Sequence, residues 1–393
     1  MKILMVHNYY QSRTPSGEDI VFENEVALLR NKGHSVITYT RHNDEIKLLK
    51  GKDRIRGAFQ SIWSHQDYHH IKTIIKRERV DVAYFLNVWY RISPSAFYAC
   101  KEENIPVSIN IQNYRLFCVN ALFYRSGRIC EDCLGRLPWR GVVHRCFNGS
   151  LSRSFLIAST IVLHRIRKTW TEMVDAYITP SHFSRDKFIK GGIPPEKVFV
   201  KPNFLPYNPE PSPVHENYAI FVGRLSHEKG VYTLLRAWKE INIPLLIAGD
   251  GPLKDLVLKN PPERIRFLGK IPHKDVLKYL SRAMFMVVPS EWYEGFPMVL
   301  IEAMAHGVPV IASRIGSIAE IVLDGKTGLL FTPGDHNDLI SRVQWLINNP
   351  DELNKFRENA RKQFLLNYTS EAVYQTLMNI FQKIITENNT SDK

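Results

Sequence analysis

Residues 219–230 read AIFVGRLSHEKG, and they decide how the second half of the chain folds. Four apolar residues, Ala219–Val222, end at Gly223, and a polar turn follows before the next apolar stretch. A short run of apolar residues is typical of a parallel strand that is buried on both faces. The stretch therefore predicts a strand followed by a helix, which is the repeating unit of doubly wound α/β sheets.

The same pattern recurs on both sides of this stretch. Amphipathic segments separate the apolar runs, for example Asp19–Asn31 with Ser16 or Gly17 near its start. We expect an α/β protein with two Rossmann-like, doubly wound domains. The predicted strands are Lys2–Val6, Ser35–Thr40, Asp81–Leu86, Val107–Ile111, Ala176–Thr179, Ala219–Val222, Leu245–Ala248, Ile265–Leu268, Met284–Val288 and Pro309–Ala312.

A proline-rich break divides the two halves. Residues 202–213 read PNFLPYNPEPSP and hold five prolines, which disfavour helix. We expect an N-terminal domain over 1–201, a linker over 202–216 and a second domain over 217–369. The last segment, 370–393, is helical in pattern from Ser370 to Glu387.

Composition narrows the class of protein. The chain has 393 residues, 44% hydrophobic and 23% charged, which disfavours large-scale disorder. Its net charge of +13 favours an anionic partner such as a phosphate-bearing substrate or an acidic bilayer surface. No signature of a nucleic-acid-binding module is present, so no nucleic acid is expected. No apolar run reaches the roughly 20 residues of a membrane span, the N-terminus does not suit a signal peptide, and the five cysteines are an odd number. We therefore expect a cytoplasmic protein.

Two cations follow the strand Ala219–Val222. Arg224 offers a planar fork of donors and Lys229 a mobile charge, and with the amides of a helix start they suit a diphosphate. Two solvated surface cations are an equally good interpretation of this segment alone. Gly249 lies in the glycine turn AGDGP, and the strand end before Lys270 and Ile271 could pack a nucleobase or be a plain strand end.

A second segment, residues 289–305, reads PSEWYEGFPMVLIEAMA. Pro297 suits the first position of a helix that runs to about His306, and the free amides of Met298–Leu300 would favour an anion. Glu294 precedes this helix and Glu302 lies within it; carboxylates suit sugar recognition because they accept hydroxyl hydrogen bonds. The alternative for Glu302 is a solvent-facing side chain.

In order and spacing, the motifs between about Ala219 and Asp335 resemble the donor-binding domain of glycosyltransferase family 4, retaining enzymes of the GT-B fold. The resemblance implies two Rossmann-like domains facing across a cleft, with the final helix returning to the N-terminal domain. It implies that Arg224 and Lys229 hold the diphosphate, that Glu302 binds the ribose, and that Glu294 grips the sugar. It also implies retention of configuration without a catalytic metal, the departing phosphate taking the acceptor proton. The implied donor-binding set is Gly17, Gly223, Gly249, Lys270, Ile271, Gly295, Phe296, Pro297, Met298, Val299, Leu300 and Glu302.

The N-terminal half resembles the family more loosely. Gly17, in the segment from Pro15 to Asp19, matches a glycine loop that lies against the donor. A family subgroup has histidine where this chain has Gln112, in the stretch Gln112–Leu116. Glutamine cannot titrate, so a histidine's role is in doubt, and Gln112 is expected to orient the sugar.

Four cysteines fall in an insert over residues 115–150: Cys118, Cys130, Cys133 and Cys146. The spacing of Cys130 and Cys133 is that of a zinc knuckle, so we expect a structural zinc held by four thiolates. The alternative is a set of reduced, buried cysteines, and a disulfide is less expected in the cytoplasm.

Residues 152–170 join apolar residues to a basic end with Trp170, which suits a helix on an acidic membrane surface. A core helix with a solvated end is the alternative, and Lys47–Arg56 adds further positive charge.

Together these features predict a retaining glycosyltransferase that uses a nucleoside-diphosphate sugar and a saccharide or lipid-linked acceptor in surface polysaccharide synthesis. A nucleotide-sugar epimerase and a non-catalytic glycan-binding scaffold are the alternatives.

Overall fold

A computed structural model describes residues 1–10, 16–47, 57, 59–259 and 263–391. The chain divides into two compact units. Unit 1 comprises Met1–Leu122, Glu131–Asn203 and Val373–Lys393, and unit 2 comprises Phe123–Cys130 and Phe204–Ala372. Part of the basic stretch Lys47–Arg56, namely residues 48–56, lies outside the described residues.

Unit 1 contains a six-stranded parallel sheet in the order β2-β1-β3-β4-β7-β8. Its strands are β1 (Lys2–Tyr9), β2 (Ser35–His42), β3 (Val82–Asn87), β4 (Val107–Asn110), β7 (Ala176–Thr179) and β8 (Val198–Val200). Its helices are α1 (Gly17–Asn31), α2 (Asp44–Lys47), α3 (His65–Glu78), α4 (Ser95–Lys101), α5 (Trp139–Val143), α6 (Leu151–Ile166), α7 (Thr169–Glu172) and α8 (His182–Lys190). The strands β1, β3 and β7 and the helix α1 share one apolar core with Leu377, Phe381 and Ile384 of the last helix, α16 (Ser370–Ser391).

Unit 2 contains the second six-stranded parallel sheet, in the order β11-β10-β9-β12-β13-β14. Its strands are β9 (Ala219–Val222), β10 (Leu245–Ala248), β11 (Ile265–Gly269), β12 (Phe285–Val288), β13 (Val310–Ser313) and β14 (Gly328–Phe331). Its helices are α9 (Val231–Ala237), α10 (Lys254–Lys259), α11 (His273–Arg282), α12 (Met298–Ala305), α13 (Ile318–Ile321), α14 (His336–Asn348) and α15 (Pro350–Asn367). Two apolar clusters pack around this sheet, one of them including α12 and the other including α9 and α14.

All ten strands that the sequence predicts are present, and the α/β class with two Rossmann-like units is confirmed. Helix α1 begins one residue after Ser16, whose hydroxyl accepts from the amide of Asp19, while the Asp19 carboxylate accepts from the amide of Ser16. This reciprocal cap explains why the helix starts two residues earlier than expected. No helix in the described part of the chain is long and apolar enough to cross a bilayer.

The insert over 115–150 departs from its expected place in the N-terminal domain. Residues 123–130 belong to unit 2, where they form an antiparallel hairpin of β5 (Tyr124–Arg125) and β6 (Arg128–Ile129). The Tyr124 hydroxyl lies 3.0 Å from His227 Nδ1, and Ile129 packs against a core cluster of unit 2. The expected linker also differs, because Phe204 and Leu205 are buried and the Leu205 amide donates to the Tyr368 carbonyl at 3.1 Å.

Candidate functional site

A cavity of about 660 Å³ lies at the carboxyl ends of β9, β10 and β11 in unit 2. Open α/β sheets bind ligands at this edge, and the volume is within the roughly 300–1,000 Å³ of small-molecule sites. Five residues of the predicted set line it, namely Gly223, Arg224, Gly249, Lys270 and Ile271. The other lining residues are Val222, Ala248, Asp250, Gly251 and Val276.

Close backbone contacts form the floor of this cavity. A Cβ atom at Gly249 would lie 1.9 Å from the Gly223 carbonyl oxygen, and one at Gly251 would lie 2.5 Å from that of Leu225. The Gly249 amide also donates to the Gly269 carbonyl at 2.8 Å. The glycine turn AGDGP is therefore required by packing, because any side chain would separate the loops that shape the cavity.

The mouth of the cavity is positively charged. Arg224 and Lys270 are both exposed there, and Asp250 is the acidic residue of the lining. Arg224 makes no side-chain hydrogen bond or ion pair to any other residue that the structure describes. A free guanidinium with five donors is suited to bidentate binding of a phosphate.

Lys229 and Glu294 form an ion pair beside this cavity. Lys229 Nζ donates to the two Glu294 carboxylate oxygens at 2.6 and 2.8 Å, and the Ser290 hydroxyl donates to the same carboxylate at 2.6 Å. The Glu294 side chain is 8% exposed and that of Lys229 is 24% exposed. The Ser317 hydroxyl donates to the Glu294 carbonyl at 2.8 Å and fixes the loop. The structure thus brings together two residues for which the sequence predicts contacts with different parts of a donor.

The two loops that carry this pair are joined along their backbones. Gly230 has a φ of +70°, and a Cβ there would lie 1.8 Å from the Pro289 carbonyl oxygen. The Glu291 amide donates to the Glu228 carbonyl at 2.8 Å, and the Thr233 hydroxyl donates to the Glu291 carboxylate at 2.7 Å. The positions of Lys229 and Glu294 are therefore fixed by the fold before any ligand arrives.

Glu302 is buried on α12, which excludes the solvent-facing alternative. Its carboxylate lies 2.9 Å from His273 Nε2, and this hydrogen bond raises the pKa of His273 although partial burial opposes the shift. Burial raises the pKa of Tyr207, and the charge of Glu302 adds to that effect. No motif selects His273 or Tyr207, because both lie in segments distant along the chain from Glu302.

The start of α12 differs in detail from the prediction. Pro297 is the residue that precedes the helix, and Met298 is its first residue. The Leu300 amide donates to the Pro297 carbonyl at 3.0 Å, and its side chain is buried in the core. The prediction that the Leu300 amide is free for an anion is therefore wrong, and the amides of Met298 and Val299 are those that remain of the predicted group.

In the loop next to Glu294, one side chain belongs to the apolar core. The Phe296 ring packs against the core of unit 2, with its centroid 6.0 Å from that of Tyr368. Its side chain is therefore held by the protein, so any contact of Phe296 and Gly295 with a sugar rests on their backbone.

In unit 1, Gln112 is held by other amides. Its Nε2 donates to Asn110 Oδ1 at 2.6 Å and to Asn203 Oδ1 at 3.0 Å, and Asn203 Nδ2 donates back to Gln112 Oε1 at 2.8 Å. Both donor hydrogens are engaged, so only a carbonyl lone pair is left for a ligand. The predicted sugar contact by Gln112 is thus limited to accepting a hydrogen bond.

Gly17 opens α1, and a Cβ there would meet nothing within 4 Å. The two residues that follow it form polar contacts, one buried and one part-buried, that the sequence argument missed. His7 Nε2 lies 2.8 Å from Asp19 Oδ1, and Asn113 Nδ2 donates to Glu18 Oε1 at 2.5 Å. Burial raises the pKa of Glu18, opposed by the Asn113 hydrogen bond and by nearby positive charge. Their position beside Gly17 is the signal that would have identified them.

The four cysteines of the insert fall in different units. Cys130 belongs to unit 2, whereas Cys118, Cys133 and Cys146 belong to unit 1. The Cys118 thiol donates to Asn120 Oδ1 at 2.9 Å. Among the described residues, no group of three or more His, Cys, Asp and Glu side chains is placed to hold a metal ion. The structural zinc held by four thiolates therefore stays a prediction, to be decided by metal analysis of the purified protein.

Known families and curated proteins match less than half of the chain. Residues 208–363 match the family model described as glycosyl transferases group 1. An uncharacterized glycosyltransferase of Methanocaldococcus jannaschii is 36% identical over 172 residues, which are 43% of this chain and 48% of that protein. O-antigen chain mannosyltransferase B of Escherichia coli is 32% identical over 192 residues, 42% of this chain and 50% of that protein. The chain thus spans about half the length of the curated relatives it matches.

Solved structures match over nearly the whole chain. Sucrose-phosphate synthase from Thermosynechococcus elongatus has a TM-score of 0.68 at 18% identity, covering 98% of this chain and 100% of that one. The Anabaena protein HepE in complex with UDP has a TM-score of 0.63 at 17% identity, again covering 98% and 100%. At these identities the likeness concerns the fold. Residues 208–363 are thus similar to group 1 glycosyl transferases, and the chain shares its two-unit α/β fold with these solved structures.

Proposed function

We propose that this protein is a retaining, metal-independent glycosyltransferase that moves a hexose from a nucleoside-diphosphate sugar to a saccharide or lipid-linked acceptor in surface polysaccharide synthesis. The observation that carries the proposal is the set of groups at one sheet edge of unit 2: the cavity, the exposed Arg224 that lines it, the Lys229–Glu294 pair and the buried Glu302. These groups include donors suited to a diphosphate and carboxylates suited to hydroxyl groups, the two chemistries that such a donor presents.

Each part of the donor has a group of suitable chemistry. The base would occupy the cavity beside Ile271, and Glu302 would accept hydrogen bonds from the ribose hydroxyls. Arg224 and Lys229 would bind the diphosphate, which requires Lys229 to exchange part of its contact with Glu294 for phosphate oxygens. Once released from Lys229, the Glu294 carboxylate can accept from sugar hydroxyls.

The transfer step needs charge stabilisation more than proton transfer by a side chain. The bond between the anomeric carbon and the β-phosphate oxygen breaks while the acceptor oxygen bonds to that carbon on the same face. The acceptor proton passes to the departing phosphate oxygen, so no side-chain base is consumed. Arg224 and Lys229 stabilise the negative charge that grows on the diphosphate, which is the part a metal ion plays in other enzymes.

Several relatives support the class of substrate. O-antigen chain mannosyltransferase B is named for transfer to a bacterial surface polysaccharide, and HepE has been crystallised with UDP. These properties belong to those proteins, and they make a nucleotide-sugar donor and a saccharide acceptor the first to test for this chain.

The test is a donor panel. Purified protein is mixed with UDP-, GDP- and ADP-sugars, with and without a membrane lipid extract, and nucleoside diphosphate release is followed. We expect release from one donor family, and about a 100-fold loss in Arg224→Ala, because removal of a charged contact in the transition state costs about 2.7–4 kcal/mol.

Arg236→Ala is the matched control, because Arg236 is an exposed arginine of the same unit outside the cavity lining. The anomeric configuration of the product, read by NMR, separates retention from inversion. Conversion of the sugar with no transfer would indicate the epimerase, and binding of glycans with no nucleotide binding would indicate the scaffold; either result contradicts the proposal.

A further inference from the structure

The segment between Cys133 and Glu172 is uniformly basic. Residues 134–171 hold seven Lys and Arg residues and no Asp or Glu. They include the helices α5 and α6 of unit 1, which pack against each other. A run of this kind creates a positive field that attracts anionic surfaces.

The outward face of α6 is apolar as well. Its inner side, with Ile157, Ala158 and Ile161, packs in a small core cluster. On the outer side Leu151 is 53% exposed, Phe155 is 63% exposed and Ile166 is 74% exposed. A surface helix of a globular protein normally turns polar residues to solvent, so a helix with two apolar faces needs a second apolar environment.

Helix α5 and the turn before it repeat this feature. Leu137 is 58% exposed, and Trp139 and Val143, one helical turn apart, are 59% and 61% exposed. Tryptophan is enriched at the boundary between lipid tails and water, where its ring is half apolar and half wet. We call the residues Leu137, Trp139, Val143, Leu151, Phe155 and Ile166 the apolar face.

The structure corrects the sequence-based picture of this segment. Trp170, expected at the basic end of the surface helix, is buried, and so is His164. Burial lowers the pKa of His164 to about 4, so it is neutral near pH 7. The exposed positive charge of this segment comes instead from Arg136, Arg145, Arg153, Arg167 and Lys168, the last of which lies 3.1 Å from Glu172.

We propose that the apolar face and the exposed arginines of the same segment dock unit 1 on an anionic phospholipid bilayer. The apolar side chains enter the boundary between headgroups and acyl chains, while the arginines contact lipid phosphates. Charge complementarity selects the lipid surface over a neutral one. An RNA or DNA partner fits less well, because phosphate backbones bind basic residues and gain little from exposed Leu, Val and Ile side chains.

The test is sedimentation of the full-length protein with vesicles of phosphatidylcholine, with or without about one-third phosphatidylglycerol. We expect binding to the anionic vesicles and at least about a tenfold weaker partition to the neutral ones. Arg145→Gln with Arg153→Gln should weaken binding about 25-fold, because each basic residue near an anionic bilayer strengthens binding about fivefold. Phe155→Ser with Ile166→Ser should weaken it about tenfold or more.

Matched controls come from unit 2. Leu366→Ser removes a leucine that is 62% exposed, and Arg236→Gln with Lys239→Gln removes two exposed charges. Both should bind anionic vesicles like the unaltered protein. All changed residues are exposed, and unchanged melting temperatures would verify folding. If the variant with Phe155→Ser and Ile166→Ser fails to fold, the variant with Arg145→Gln and Arg153→Gln still tests the proposal.

Equal binding to neutral and anionic vesicles, absence of binding to both, or equal losses in variants and controls would overturn the proposal. Binding to single-stranded RNA that anionic vesicles cannot compete away would do the same. The readout needs no nucleotide sugar, so its failure is distinguishable from failure of the glycosyltransferase proposal.

Discussion

Glu294→Gln should tighten the binding of nucleoside diphosphate while it slows sugar transfer. In the structure Lys229 donates to both oxygens of Glu294, at 2.6 and 2.8 Å. A diphosphate that binds Lys229 must therefore compete with an internal carboxylate. Glutamine has the same shape and keeps an acceptor oxygen for Ser290, but it no longer carries the charge that holds the lysine.

The size of the effect follows from the exposure of the pair. A hydrogen bond to a charged group contributes about 1.5–3 kcal/mol when it is buried. Lys229 is 24% exposed, so solvent screening reduces the net competition to about 1 kcal/mol. Nucleoside diphosphate affinity should therefore rise about fivefold in Glu294→Gln. Transfer should fall about 100-fold, because a charged acceptor for the sugar hydroxyls is lost.

Isothermal titration calorimetry with UDP, GDP and ADP measures the first quantity, and initial rates with the donor selected by the panel measure the second. Glu291→Gln is the matched control, because Glu291 lies in the same loop but accepts from Thr233 at 2.7 Å. Lys229→Ala should weaken diphosphate binding. If Glu294→Gln weakens it as much as Lys229→Ala does, the two residues act as one structural unit and the competition argument is refuted.

Three further predictions concern glycine, histidine and zinc. Gly230→Ala should destabilise the protein by about 2 kcal/mol or more, because its Cβ would lie 1.8 Å from the Pro289 oxygen, whereas Gly17→Ala, with open space, should change the melting temperature little. His273 has a raised pKa, so its pair with Glu302 stabilises the fold at low pH and loses that contribution as pH rises through the folded pKa. His273→Gln should therefore lower the melting temperature at pH 6 more than at pH 9, and an equal loss at both would contradict this. For the predicted zinc, metal analysis of purified protein should find about one zinc per chain if four thiolates bind it, and clearly less would end that prediction.

The sequence predicts most of the fold because each buried parallel strand appears in the sequence as a short continuous run of apolar residues. All ten expected strands exist, but two further strands, β8 (Val198–Val200) and β14 (Gly328–Phe331), are not predicted from the sequence. The first has only three residues, too few to separate a strand from a turn of buried helix. The second begins with a glycine, a residue that is depleted in strands. The β5–β6 hairpin also escaped, although Ser126 and Gly127, with φ of 51° and 75°, form the two-residue turn that such hairpins favour.

The candidate site is predicted less completely than the fold. The residues that the sequence does not predict are the hydrogen-bonding partners of the charged residues. Motif spacing selects the charged residues Arg224, Lys229, Glu294 and Glu302 as candidates, since each follows a strand or lies on the next helix. It does not identify the neutral or titrating partners that fix them, because those come from segments far away in sequence. Ser317, which donates to the Glu294 carbonyl, and His273, which contacts the Glu302 carboxylate, are of this kind. Ser290 lies only four residues before Glu294, but motif spacing does not single it out.

The strand order explains why the lysine and the glutamate meet. The sheet of unit 2 begins at β9, extends through β10 to β11 on one side, and then continues with β12 on the other side of β9. The loops that leave β9 and β12 therefore turn in opposite directions and open a crevice between them, the point at which such sheets bind ligands. Lys229 follows β9 and Glu294 follows β12, so any sequence with this strand order brings these two positions together. What this sequence adds is a glycine at position 230, which allows the first loop to approach Pro289, and two opposite charges that remain paired until a stronger anion displaces one of them.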